Sequence, residues 1–237
     1  MTRGEPLSVT NNLRTIAVHM HGRYLIHSAP GAVATLVGFH GYQENAVIHL
    51  DVLRRIAQGL PTEAPGAKVG AINLISIQAL NRFYTRANAV VAGWMTSEDR
   101  ELAIADNIGY VAAVLADVAG AAGITRPMIY AGFSQGVAMA YRAAAFVQRP
   151  CDGVIALAGD VPPDVAPVAA GLPPILLGRG RADKWYTEAM AAADLGVLRS
   201  AGVVVAEHVF EGGHEWDESF VARAGAFIDE VSAATRR

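Results

Sequence analysis

Cysteine is almost absent from this chain: Cys151 is the only one in 237 residues. No internal disulfide can staple the fold, so stability has to come from a core, and a chain this long can bury one. Charge of one sign is lacking too, with a net charge of -3 and no basic cluster beyond Arg236-Arg237. That argues against nucleic acid as the main partner. No run of 18 apolar residues occurs, and the first residues, Met1-Thr2-Arg3-Gly4-Glu5-Pro6, lack the apolar stretch of a signal peptide. The expectation is a cytoplasmic protein without integral membrane contact, although a trimmed leader is left open. Repeats, low-complexity tracts and charged linkers are missing as well. The whole of 1–237 is therefore read as a single domain, with 1–12 as a loose N-terminal segment.

What is present is apolar. Hydrophobic residues make up 52% against 17% charged, which excludes a disordered chain. Mean hydropathy is +0.28, leaving room for a homodimer. Thr15 to Ser28 reads as an antiparallel hairpin turning near Gly22-Arg23. Short apolar runs at 34–39, 69–77, 128–133, 154–158, 175–177 and 203–210 read as buried strands. Helical spacing covers 45–60, 97–119, 135–148, 187–200 and 217–233, with Ser97 as the expected cap of the second. Strands alternating with helices imply a mostly parallel sheet with helices on both faces, and ligand chemistry beyond the carboxyl ends of its strands.

At one such end stands Gly132-Phe133-Ser134-Gln135-Gly136. This G-x-S-x-G pattern between a strand and a helix is the form of a nucleophile elbow. The strained turn brings positions two before and two after the serine against neighbouring backbone, so both must be glycine. A serine hydroxyl needs a base. Of the histidines, only His214 both follows Ser134 and lies in a loop after a strand. Asp183, in the loop after 175–177, is the expected acid orienting it, with Asp160 and Asp164 one strand earlier as competitors. An anionic tetrahedral intermediate needs amide donors. Gln135 N–H, just after the serine, and Tyr42 N–H, in Phe39-His40-Gly41-Tyr42-Gln43-Glu44-Asn45, are the candidates, with His40 structural or orienting.

These pieces resemble an α/β-hydrolase of the phospholipase/carboxylesterase group, which includes acyl-protein thioesterases. The carriers are "FHGYQENA", "GFSQG" and "GGHEW", in that order, with Asp183 between the last two. The resemblance spans about residues 34 to 230. It implies an α/β-hydrolase fold and hydrolysis of carboxylic esters or thioesters through an acyl-enzyme, with no cofactor and no metal. Ser134 is then nucleophile, Asp183 orienter, His214 base, and Tyr42 with Gln135 the oxyanion donors. The chain departs from the group at Val137, at Tyr42-Gln43 and at Gly178-Arg179-Gly180, each of which alters the wall of the site.

Only a short stretch with five prolines separates the strand ending near Ala158 from the one starting at Ile175. A large cap has no room there, and an open site that admits an extended acyl chain or a polymer-borne ester is expected, with a small-molecule or acyl ester as substrate. The segment 78–96, with Phe83, Tyr84, Trp94 and Met95, is a candidate wall, or else part of it, Ala87 to Val91, is a strand or helix turn in the core. Trp185 and Trp216, each two residues past a triad candidate, either line an acyl pocket or pack the loops holding Asp183 and His214. Arg179 and Arg181 are an anion-binding pair or a solvated face. His19-Met20-His21 sets two imidazoles on one strand face, a weak metal signal without a third ligand. Two other functional classes fit the same residues: a non-catalytic ligand-binding protein on a hydrolase fold, and an acyltransferase that excludes water.

Overall fold

The computed structural model describes residues 13–59, 71–121 and 123–236. Seven strands form the main sheet: β1 (Arg23–His27), β2 (Ala34–Phe39), β3 (Ile72–Gln78), β6 (Met128–Phe133), β7 (Gly153–Leu157), β8 (Ile175–Gly180) and β9 (Val205–Phe210). Their spatial order is β1-β3-β2-β6-β7-β8-β9. Every neighbouring pair is parallel except β1 with β3. Residues of β2, β6, β7 and β8 are buried throughout. That is the signature of strands covered on both faces, and it explains why they read as continuous apolar runs instead of alternating ones.

The N-terminal pairing is antiparallel, but β1 takes β3 as partner. Residues 13–22 run as coil, with Leu13, Ile16, Val18 and Met20 exposed. His19 and His21 lie on that coil and are exposed. The loose segment expected over 1–12 falls outside the described residues.

The helices are α1 (Ala46–Gln58), α2 (Arg100–Ala121), α3 (Gln135–Phe146), α4 (Glu188–Ser200) and α5 (Glu218–Thr235). Three begin where a side chain satisfies their first amides: Asn45 accepts from Val47 and Ile48, Thr187 from Met190, and Asp217 from Ser219. The second helix starts three residues later than the sequence suggested. Asp99 takes a positive φ of 46°, so Ser97 lies before the helix and cannot cap it. By length and composition Arg100–Gly120 is apolar enough to cross a membrane. Its buried residues, Asn107, Val111, Val114, Leu115 and Val118, make one stripe at helical spacing, while Asp106 and Asp117 are exposed. This is the pattern of a core-facing helix.

Between β3 and α2, a small hairpin forms from β4 (Asn81–Tyr84) and β5 (Val90–Gly93). It joins the β2–α1 turn through the bridge Glu44↔Ala92. No large cap interrupts the sheet among the described residues. The proline-rich stretch after β7 contains one short 3-10 turn, Ala166–Gly171. It is tied down by Arg142, wholly buried on α3, whose guanidinium makes two hydrogen bonds to Asp164 at 2.7 and 2.8 Å.

Candidate active site

Ser134 follows β6 with φ 52° and ψ -121°, a backbone state that side chains avoid. Its amide donates to Leu157 O at 2.9 Å, and its carbonyl accepts from Val137 N at 3.0 Å. Both flanking glycines are required. A Cβ on Gly136 would stand 2.0 Å from Phe39 O, and one on Gly132 would stand 2.6 Å from Val137 Cα. Serine at a helix start usually caps it, yet Ser134 makes no side-chain cap bond. Its hydroxyl lies 2.8 Å from His214 Nε2 instead.

His214 sits between β9 and α5, and Asp183 between β8 and α4. Backbone bonds stitch these loops together: Arg181 N to Phe210 O and Ala182 N to Gly212 O, both at 2.8 Å. His214 Nδ1 lies 2.8 Å from Asp183 Oδ2. The other Asp183 oxygen accepts from Trp185 N at 2.8 Å and Tyr186 N at 3.0 Å, and the carboxylate is shut off from solvent. With that carboxylate as acceptor, Nδ1 carries the proton and Nε2 presents its lone pair to the serine hydroxyl. The ring also packs on Phe133, centroids 5.0 Å apart. Asp160 is exposed and Asp164 belongs to Arg142, so neither competitor reaches the histidine.

Gln135 opens α3, where an amide has no intrahelical acceptor. In the turn after β2, Gly41 N–H donates to Glu44 Oε2, Gln43 N–H to Ala92 O and Glu44 N–H to Gly41 O. Tyr42 N–H is the amide of that turn left without an acceptor among the described residues. The two candidate donors, Tyr42 and Gln135, thus keep free amides among the described residues, that of Gln135 directly after the nucleophile. His40 donates from Nδ1 to Gly41 O and accepts at Nε2 from Ala79 N. Burial lowers its pKa to about 4, so it stays neutral and serves as a fixed strut.

The tryptophans separate. Trp94 is wholly buried, its indole N–H on His40 O and its ring against Phe39 and His40. It cannot line a substrate pocket, so that expectation is corrected: its size and its donor make it a core brace. Trp216 packs on Phe133, His49 and Phe220 behind the histidine. Trp185 lends its amide to Asp183 while its side chain is 78% exposed. Arg179 pairs with Glu188 and Arg181 with Glu211. Tyr42, half-exposed, stacks on Phe83 of the hairpin at 5.3 Å.

Sequence reading missed the side chain of Gln135. Its Oε1 accepts from Trp94 N at 2.6 Å and its Nε2 donates to Met95 O at 3.0 Å. A long amide in a helix's first turn, where free acceptors are scarce, was the available signal.

The family model for Phospholipase/Carboxylesterase matches residues 91–232, more than half of the chain. The chain belongs to the phospholipase/carboxylesterase family. It is thereby a member of a family of carboxylic-ester hydrolases on the α/β-hydrolase fold. Among solved structures, esterase PE8 is similar at 23% identity, covering 90% of this chain and 100% of that one, with a TM-score of 0.68. A carboxylesterase from Bacillus cereus is 15% identical over 89% of this chain and 94% of its own, TM-score 0.67. Acyl-protein thioesterase 2 from Zea mays is 19% identical over 90% and 100%, TM-score 0.65. At such identities these likenesses carry the fold. No curated protein matches the chain in sequence.

Proposed function

We propose that this family member hydrolyses carboxylic esters or thioesters through an acyl-enzyme formed on Ser134. The observation that carries the reading is the unbroken run of hydrogen bonds from Ser134 Oγ through His214 to Asp183 at a strained elbow. Ser134 attacks the carbonyl carbon while His214 Nε2 takes its proton. The carbonyl oxygen becomes anionic and is met by the Tyr42 and Gln135 amides. The tetrahedral intermediate collapses, and His214 returns the proton to the departing alcohol or thiol. Water, deprotonated by the same imidazole, then releases the acid. Asp183 holds the ring and balances the imidazolium without taking the proton.

The half-exposed ring of Tyr42, stacked on Phe83, supports an apolar acyl or alcohol part. The acyl-protein thioesterase of Zea mays and the two esterases among the neighbours support thioester and ester substrates alike.

Turnover of p-nitrophenyl esters of graded acyl length tests this. Ser134→Ala should abolish it, and Asp183→Asn should lower kcat by roughly 10³–10⁴-fold while KM changes little. Equal activity in native chain and Ser134→Ala would refute the assignment. Native inactivity together with no labelling by a fluorophosphonate would point to a ligand-binding protein.

A further inference from the structure

Glu44 holds a carboxylate that the scheme above does not use. It closes the Gly41–Glu44 turn twice. Its N–H donates to Gly41 O at 3.2 Å, and its Oε2 accepts from Gly41 N–H at 2.7 Å. Its carbonyl accepts from Ala92 N at 2.8 Å, fastening the turn to the hairpin. The clamp has something to resist, since Gln43 is held at φ 65°, a conformation unfavourable for a residue with a side chain.

The carboxylate is also placed to act through space. Only 22% of its side chain is exposed. A Cβ on Gly41 would stand 3.3 Å from Glu44 Oε2 and 2.9 Å from Phe133 Cδ1, and the Phe133 ring packs on His214, so the carboxylate lies beside the aromatic ring that backs the base. Burial raises its pKa, while the Gly41 amide and His214 favour its charged form. The groups around it are few. His49, from α1, brings Nδ1 to 4.0 Å, and burial lowers its pKa to about 3, so it carries no charge near neutrality. His40, close enough to His49 for their charges to interact, is neutral too. His214 itself is held by Asp183, and Glu215 on the histidine's own loop is engaged by Gly213 N–H.

We propose that Glu44 is a positioning residue for the oxyanion hole: it occupies Gly41 N–H so that Tyr42 N–H is presented, and its charge stabilises the imidazolium formed on His214. The inference rests on the acyl-enzyme reading and adds a group to it. Its two parts separate chemically. Glu44→Gln keeps an acceptor for Gly41 but removes the charge, whereas Glu44→Ala removes both.

The test is p-nitrophenyl butyrate kinetics from pH 5 to 9 on the native chain, Ser134→Ala and both Glu44 variants, with inhibition by an alkyl trifluoromethyl ketone, which forms an oxyanion on the serine. Glu44→Ala should lower kcat about 10–100-fold with KM within about threefold, and weaken the ketone in parallel. Glu44→Gln should lose about three- to tenfold and move the acid limb of kcat/KM to lower pH by roughly half a unit. If Glu44→Ala does not fold, the glutamine variant's pH profile decides alone. A Ser134-dependent native enzyme whose acid limb does not move in Glu44→Gln, and whose ketone affinity is intact in any folded Glu44→Ala, overturns the role of Glu44 and leaves the acyl-enzyme standing. A native chain without turnover or ketone binding overturns both.

Discussion

The indole N–H of Trp94 donates to the carbonyl of His40 at 2.9 Å, while the Trp94 backbone amide donates to the side chain of Gln135. One buried residue therefore ties the strand end that leads into Tyr42 to the first residue of α3. These are the two places from which the proposed oxyanion donors come. A third residue, hydrogen-bonded to neither amide, thus links the two elements that carry them.

Trp94→Phe keeps most of the ring contact with Phe39 and His40 but leaves the His40 carbonyl unpaired in the interior. A loss of about 1–3 kcal/mol is expected, read as a lower denaturant midpoint at unchanged slope. Ester turnover should fall on the order of tenfold, short of the ~10²–10³ typical of losing an oxyanion donor outright. Full activity with reduced stability would show that the brace is structural only.

Glycine does opposite jobs at two sites. Gly136→Ala drives a Cβ into the Phe39 carbonyl, backbone against backbone, so no rotamer relieves it. That variant should be severely destabilised or insoluble. Gly196 lies exposed within α4, and a methyl group added there would meet nothing within 4 Å. Gly196→Ala should stabilise by about 0.5–1 kcal/mol, seen as a raised Tm.

Much of this was legible in the sequence because β2, β6, β7 and β8 are buried on both faces and leave unbroken apolar runs. The elbow was legible for a steric reason, since nothing but glycine fits at 132 and 136. His214 and Asp183 followed from their positions after strands. Less local features were hidden. The partner of β1 is β3, about fifty residues away, and adjacency in sequence favoured residues 15–21. Trp94 looked like wall because it falls in the long segment 78–96; its burial depends on contacts with β2 and α3. The grip of Gln135 on residues 94–95 spans 40 positions and has no periodic signature.

Acid should weaken the fold through two histidines. Burial lowers His40 to about 4 and His49 to about 3, from about 6.5 in the unfolded chain. Neither nitrogen of His49 has a hydrogen-bond partner, and the nearby Ala131 backbone does not meet hydrogen-bond geometry. For groups held neutral, the unfolded state binds more protons below its own pKa. Stability is thus complete above about pH 6.5 and declines as pH falls toward 4 and then 3, by about 1.4 kcal/mol per unit for each histidine. Tm measured from pH 7.5 to 4.5 should fall steadily. His49→Leu, which removes an unpaired buried imidazole, should flatten that decline; an unchanged slope would remove His49 from the account.

The proposed nucleophile, base, acid and donors lie at residues 134, 214, 183, 42 and 135, at the ends of four strands that are separate in sequence. Assembling them requires β2, β6, β8 and β9 to find one register, and these are contacts of long sequence separation. Such contacts close late and slowly in folding. On dilution from denaturant, helical signal should therefore return ahead of ester turnover, and regained activity would time the docking of β9 onto β8, the step that carries His214 to Asp183 and Ser134.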